Sequence, residues 1–382
     1  MSAGLQSLLD EGVKAGAFPS AQAVVLHRGA CAFSGTAGPV SADTAFDLAS
    51  LTKVMCTTAL FLRGWGQGRL GPSTPLARLF PGTPAAEAGV TLADLLYHRS
   101  GLPAWLPYFA RVMPAVPELF DPATPRATWE EVRSEVRKAV VACGLRRPRG
   151  AEAVYSDVGF LQLGFALEEL LGAPLDALFA EHVAGPLGLA ASFRRITARL
   201  PGEGIPQTGN TRPREPAPGQ ETMWTPFPVR PSSPGEVDDD NAWVLDGVAG
   251  HAGLFASASD VARFGQAVLE EFDGAGRLAP APLWSLALAQ DLQVPGSSRA
   301  LGFDTPAPPA SAGTFIGNVP PGAVGHTGFT GTSLWVDVGR QLVIALTTNR
   351  TAHGRHNLAL REFRPRFHDA AVRALSLESP SP

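Results

Sequence analysis

The sequence predicts an α+β fold: an antiparallel sheet made from the two ends of the chain and flanked by helices, with a mainly helical region inserted between them. Strand signals are confined to residues 23–35 and 332–347, and helical periodicity fills most of the stretch between. Strands and helices segregated in this way argue against alternating βαβ winding. The expected division is a sheet-containing α/β domain from residues 1–60 together with 310–382, and a mainly helical domain over 61–309.

The first element is an amphipathic helix over 5–15, where Leu5, Leu8, Leu9 and Val13 recur at helical spacing. A hairpin follows, with Ala23-Val24-Val25-Leu26-His27 and Ala32-Phe33-Ser34-Gly35 flanking an Arg28-Gly29 turn. Helices are expected at 51–64, 92–97, 129–142, 158–171, 175–183 and 259–272. Residues 201–235 hold nine prolines and almost no periodicity, so a long loop over 201–240 interrupts this region. A structureless run of that length in a compact domain is usually functional or mobile. Strands return at 332–336 and 342–347 around a Val338-Gly339-Arg340 turn, and a helix over 355–375 closes the chain.

A chain of 382 residues with 45% apolar and 17% charged content can bury a large core and is too apolar for disorder. A net charge of −4 gives no general attraction to nucleic acid or anionic membranes, so neither is expected as a partner. Arg146-Arg147-Pro148-Arg149 is short and broken by proline, and reads as a solvated face. The opening Met1-Ser2-Ala3-Gly4-Leu5 has no secretory character, and the longest apolar run, 54–62, is too short to span a bilayer. Cys31, Cys56 and Cys143 lack metal or redox spacing and read as buried thiols in a reducing compartment. The expected address is cytoplasmic. Nothing in the sequence speaks to oligomeric state.

Chemistry concentrates at Ser50-Leu51-Thr52-Lys53. Of 31 basic residues only Lys14, Lys53 and Lys138 are lysine. An arginine at 53 would keep the charge but could not serve as a base, whereas a lysine can if burial and neighbours lower its pKa. On a helix, positions i and i+3 share a face, so Lys53 can reach the Ser50 hydroxyl. The N–H of residue 50, at a helix start, is free to meet a developing oxyanion. The plainer alternative is an N-cap serine with an exposed lysine one turn on.

Two further segments weigh against that alternative. Tyr155-Ser156-Asp157 sits at a loop-to-helix junction, and a tyrosine near a lysine sheds its proton more easily and can act as general acid or base. Gly325-His326-Thr327-Gly328-Phe329 precedes the C-terminal strands, where small residues let a substrate lie along a strand with the Phe329 N–H free to donate.

With these segments the chain resembles the serine β-lactamase-like superfamily, in the branch of class C β-lactamases, D-peptidases, DD-carboxypeptidases and related esterases. The resemblance covers nearly the whole chain. It rests on Thr44-Ala45-Phe46-Asp47-Leu48-Ala49-Ser50-Leu51-Thr52-Lys53, on Leu92-Ala93-Asp94-Leu95-Leu96-Tyr97-His98-Arg99-Ser100-Gly101-Leu102-Pro103, on Tyr155-Ser156-Asp157-Val158-Gly159-Phe160, on Gly250-His251-Ala252-Gly253-Leu254-Phe255, and on His326-Thr327-Gly328.

It implies a β-lactamase/transpeptidase-like fold, with Ser50 as acylated nucleophile, Lys53 as activating base and Tyr155 as proton relay to the leaving group. It also implies an oxyanion hole from the N–H groups of Ser50 and Phe329, substrate contacts along His326, Thr327 and Gly328, and neither metal nor organic cofactor. The implied partner is a small ester, amide or peptide substrate. His326 stands where class C enzymes carry lysine, which moves the reading toward peptidases and esterases.

Asp157 departs further, since the family usually places there an asparagine that can donate to a substrate carbonyl. An ionised aspartate only accepts, and near Lys53 it favours the ammonium. Alternatively, Asp157 simply anchors its loop. His251 either faces the cleft or packs within its Gly-rich loop. His98 reads as structural, and His353 with His356 lacks the partners of a metal site. Trp105, Tyr108, Trp224 and Phe227 are candidates for an apolar wall or for core packing.

Overall fold

In the computed structural model, which describes residues 2–113, 119, 124–214, 230–307 and 311–378, both ends of the chain meet in one antiparallel sheet. Its strands are β1 (Ala21–His27), β2 (Ala30–Ala37), β3 (Ala323–Thr327), β4 (Ser333–Asp337) and β5 (Leu342–Thr348), in the order β2-β1-β5-β4-β3. The two-residue turn of the first hairpin has positive φ at both Arg28 and Gly29, the conformation whose twist suits paired strands. Val24 lies opposite Ala345, and Gly325 opposite Trp335.

Alternation along the strands sends side chains to two cores. Val25, Leu342, Ile344 and Leu346 pack with Leu5, Leu9, Phe363 and Phe367, on the face covered by helices α1 (Ser2–Lys14) and α6 (Ala359–Ala374). Val24, Leu334, Val336, Val343 and Ala345 point the other way, into the core shared with the helical region. Helix α5 (Ala258–Phe272) packs on β1, β4 and β5 from that side. It starts at Ser257, whose hydroxyl accepts the Asp260 N–H.

The helical region is organised by α2 (Ala59–Gly66), α3 (Arg126–Val141) and α4 (Asp157–Leu171), packed through Phe61, Val132, Phe160 and Leu163. Before α2 the chain winds as a wider π-helix over Lys53–Thr58, with all six residues buried. Helix α4 is capped by Ser156, whose hydroxyl accepts the Gly159 N–H, and ends at Gly172 in the left-handed conformation. Among the described residues, no single helix is long and apolar enough to cross a membrane.

Three differences from the sequence reading have physical causes. Residues 323–327 were not expected as a strand, because Gly325, His326 and Thr327 break apolar alternation, yet they pair along β4. The last helix begins at Ala359 because Arg350–His353 forms a separate tight turn closed by Gly354 at φ 92°. Inside the expected 201–240 loop, Thr211–Arg212 pairs with Arg230–Pro231, and Asp240–Val244 is already helical. Trp224 and Phe227 lie outside the described residues.

The loop after Val248 passes closely against α4 at Gly250. A Cβ on Gly250 would stand 2.3 Å from the Phe160 carbonyl oxygen and 2.9 Å from the Gly164 Cα. Backbone on both sides leaves nothing to yield. Gly250→Ala should therefore destabilise the protein by about 1–3 kcal/mol in denaturant unfolding. A wild-type unfolding midpoint would show that this contact is not tight.

Candidate active site

A cleft of about 490 Å³ opens where the end of β3, the start of α4 and the turn before α2 converge. Ser50, Tyr155, Asp157, His251, His326 and Thr327 to Phe329 line it. A second cavity, of about 780 Å³ beside Trp129, Arg194 and Trp243, contains none of these groups.

Ser50 is presented by a strained turn. Ala49 has φ 46°, a left-handed conformation uncommon for a residue with a side chain. The turn is held from beneath. The Ala49 N–H donates to Asp47 Oδ1 (2.8 Å), and the Asp238 N–H donates to Asp47 Oδ2 (2.6 Å). The hydroxyls of Thr330 and Thr332 donate to the carbonyls of Asp47 (2.7 Å) and Leu48 (3.0 Å), tying the turn to the loop after β3. Burial, and then the neighbouring Asp238, push the Asp47 carboxyl up to about 7 against its two backbone donors.

Lys53 is fully buried, and its Nζ lies 3.0 Å from Ser50 Oγ, 2.6 Å from Asp157 Oδ1 and 3.2 Å from the His251 carbonyl oxygen. Burial alone disfavours the ammonium. The Asp157 carboxylate and the Tyr155 oxygen outweigh it, so the Lys53 pKa stands above its ordinary 10.5. The neighbours thus raise a pKa that a base role would have lowered. Asp157 is the ion-pair partner of Lys53, and its own N–H is fixed by the Ala104 carbonyl at 2.8 Å.

Tyr155 donates from its hydroxyl to Ser50 Oγ at 2.8 Å. The expected ease of proton loss is reversed here: burial exceeds the pull of Lys53, and the phenol lies above its ordinary 10.0. His98 is structural in a way that matters to the site. Its Nδ1 accepts the Ser156 N–H at 3.0 Å, and its ring centroid lies 4.7 Å from that of Tyr155.

His326 Nδ1 lies 2.8 Å from the Thr327 carbonyl oxygen, so this nitrogen carries the hydrogen. Burial, then Lys53, drive the imidazole down to about 3, leaving it neutral at ordinary pH. Gly328 passes against the Leu48 carbonyl, 2.6 Å from where a Cβ would stand. The Phe329 ring, 41% exposed, lies among the guanidinium groups of Arg214, Arg350 and Arg355. Among the described residues, neither the Ser50 N–H nor the Phe329 N–H has a protein acceptor.

His251 lines the cleft but turns its Nε2 to Asp239 Oδ1, at 3.0 Å. Although burial opposes it, His251 and Arg214 hold the Asp239 carboxyl well below the usual range. Trp105 lines the cleft, whereas Tyr108 is buried in the core. Sequence reading missed Arg214, Asp238, Asp239, Arg299 and Asp304, all lining the cleft. Only the acidic run Asp238-Asp239-Asp240 was a local signal. Arg299 pairs with Asp304 (2.8 Å) and lies 5.3 Å from the Tyr155 ring centroid. Among the described residues no group of three or more His, Cys, Asp or Glu is placed to hold a metal ion.

Chemically, this is a hydroxyl contacted by two proton-bearing groups, beside two N–H groups free to donate. The family model described as Beta-lactamase matches residues 5–364 of this chain. A protein of Escherichia coli (strain K12) named "Putative D-alanyl-D-alanine carboxypeptidase" is 27% identical over 329 residues, 82% of this chain and 71% of that one. The octameric penicillin-binding protein homologue from Pyrococcus abyssi superposes with a TM-score of 0.71 at 17% identity, over 100% of this chain and 78% of that one. A D-stereospecific amidohydrolase from Streptomyces sp. gives a TM-score of 0.63 at 20% identity, over 91% of this chain and 94% of that one.

With only three lysines, the Lys53 ammonium can be followed directly. Asp157→Asn removes the main influence that raises its pKa and leaves burial in command, so the Lys53 pKa should fall below 10.5. Heteronuclear NMR of the lysine Nζ groups across a pH titration reads this. An unmoved Lys53 titration would mean that Asp157 does not set its charge.

Proposed function

The chain belongs to the Beta-lactamase family, and from that premise we propose that it is a serine hydrolase acting through a covalent acyl-enzyme on small esters or D-amino-acid amides and peptides. The observation that carries the reading is the double contact on Ser50 Oγ, with Lys53 Nζ at 3.0 Å and the Tyr155 hydroxyl at 2.8 Å. Intact proton carriers on both sides of one hydroxyl argue against an idle binding relative.

The resting protonation state sets the order of proton movements. Lys53, as ammonium, must first pass a proton across the 2.6 Å contact to Asp157. The amine then takes the Ser50 proton as Oγ bonds to the substrate carbonyl carbon. Charge gathering on the carbonyl oxygen meets the N–H groups of Ser50 and Phe329. As the tetrahedral adduct collapses, Tyr155 donates its proton to the leaving group and recovers one from Lys53. Asp157 then returns its proton to the amine, restoring the ion pair. Water repeats the sequence to release the acid.

Asp157 also shapes substrate preference. A simple activated ester needs only the nucleophile and the oxyanion donors, whereas a β-lactam with an acylamide side chain presents a further carbonyl that a carboxylate cannot serve. A second reading, a D-alanyl carboxypeptidase, is favoured by the name of the Escherichia coli relative. Release of D-alanine from a D-alanyl-D-alanine peptide faster than ester cleavage would select it.

Ser50→Ala should abolish turnover and fluorophosphonate labelling while the fold persists, a loss of several orders of magnitude. Lys53→Arg should be nearly as damaging, since guanidinium cannot give up its proton. More than a tenth of wild-type activity in Ser50→Ala defeats the nucleophile assignment, and near-normal kcat in Lys53→Arg reduces Lys53 to an electrostatic role.

The wild-type protein should cleave p-nitrophenyl butyrate much faster than nitrocefin, and Asp157→Asn should narrow the ratio of kcat/KM by roughly tenfold, the worth of a hydrogen bond of about 1–3 kcal/mol. An unchanged ratio would mean that residue 157 does not meet the substrate.

A further inference from the structure

Behind the loop that offers the Phe329 N–H lies a charge with no part in the proton transfers. Arg364, on α6, is only 9% exposed, and its Nη2 donates to the carbonyl oxygens of Gly328 (3.4 Å) and Thr332 (3.3 Å). Among the described residues no carboxylate stands within ion-pair distance of it. Burial, followed by the like charges of Arg350 and Arg361, brings its pKa down to about 9, so it remains a cation at neutral pH without an anionic partner.

The carbonyl of Gly328 and the N–H of Phe329 are two ends of one planar peptide group. A cationic donor on the oxygen draws electron density from the nitrogen end and makes its hydrogen a stronger donor, the polarisation seen along hydrogen-bonded chains. We propose that Arg364 is a positioning residue: through the Gly328–Phe329 peptide it orients and strengthens the N–H that meets the developing oxyanion. The second contact, to Thr332, fixes the far side of the same loop. Negative charge on the substrate would also give the buried guanidinium the counter-charge it lacks. The inference rests on the acyl-enzyme reading, in which the Phe329 N–H faces the oxyanion.

The test uses Arg364→Gln and Arg364→Lys in the full chain, acylated with p-nitrophenyl trimethylacetate carrying a ¹³C carbonyl, a bulky acyl group expected to leave slowly. Infrared difference spectroscopy reads the acyl carbonyl stretch, and steady-state assays with p-nitrophenyl butyrate give kcat and KM. Arg364→Gln should lower kcat roughly tenfold with KM within about twofold, since a donor is weakened and not removed. It should also shift the stretch to higher frequency. Arg364→Lys, which keeps the charge, should lie between Gln and wild type in both. A wild-type stretch in either folded variant, or equal damage by Lys and Gln with no shift, makes Arg364 a merely structural tether. If Arg364→Gln does not fold, the Lys variant decides alone, through an intermediate shift or none. Formation of the acyl-enzyme in these variants separates the two claims, because it upholds Ser50 chemistry whatever the stretch shows.

Discussion

The Lys53–Asp157 contact, 2.6 Å long and at the inner end of the cleft, is the interaction on which the rest of the site depends. A buried ammonium is tolerable only with a carboxylate and further acceptors around it. Here those acceptors come from three separate parts of the chain: the Ser50 hydroxyl before α2, the Asp157 carboxylate at the start of α4, and the His251 carbonyl in the loop against α4. Satisfying one charge therefore brings Ser50, the Tyr155 loop-to-helix junction and the Gly-rich loop to a single point. The glycine contact between residues 164 and 250 and the His98 bond to Ser156 hold the outer members of this arrangement in place.

A second set of contacts fixes the other side of the cleft. Asp47, Thr330 and Thr332 lock the Ser50 turn to the loop after β3, so the two N–H groups proposed to meet an oxyanion share one rigid support. The strain at Ala49 is held by these bonds and lifts the Ser50 hydroxyl toward the cleft. Charge in this region is paired in part: Arg214, beside Phe329, contacts Asp238 at 2.5 Å, whereas among the described residues no carboxylate stands within ion-pair distance of Arg364. Acidic groups gather at Asp47, Asp238 and Asp239, and arginines crowd around Phe329 and the base of its loop.

Much of this was legible in the sequence because it is local. The Ser50–Lys53 spacing, the helix that follows, the first hairpin, and the paired C-terminal strands each announce themselves through periodicity or turn chemistry. The edge strand carrying His326 did not, since Gly325 and Thr327 suppress the apolar alternation that marks a strand, and only pairing with β4 makes it one. The protonation state of Lys53 was open for a different reason. It depends on Asp157, 104 residues away, and a motif places residue types without stating which charge prevails at contact distance. Arg364 escaped notice because it works on backbone groups distant in sequence, and the role of Asp47 was hidden because its second donor, the Asp238 N–H, comes from a distant loop.

Peptide mapping after brief reaction with p-nitrophenyl trimethylacetate tests the central claim most directly. Mass spectrometry of the digest should place a single acyl group on the peptide containing Ser50, with fragmentation assigning it to that side chain. An acyl group on another residue, or turnover of the ester with no covalent adduct at any time point, would contradict the acyl-enzyme account.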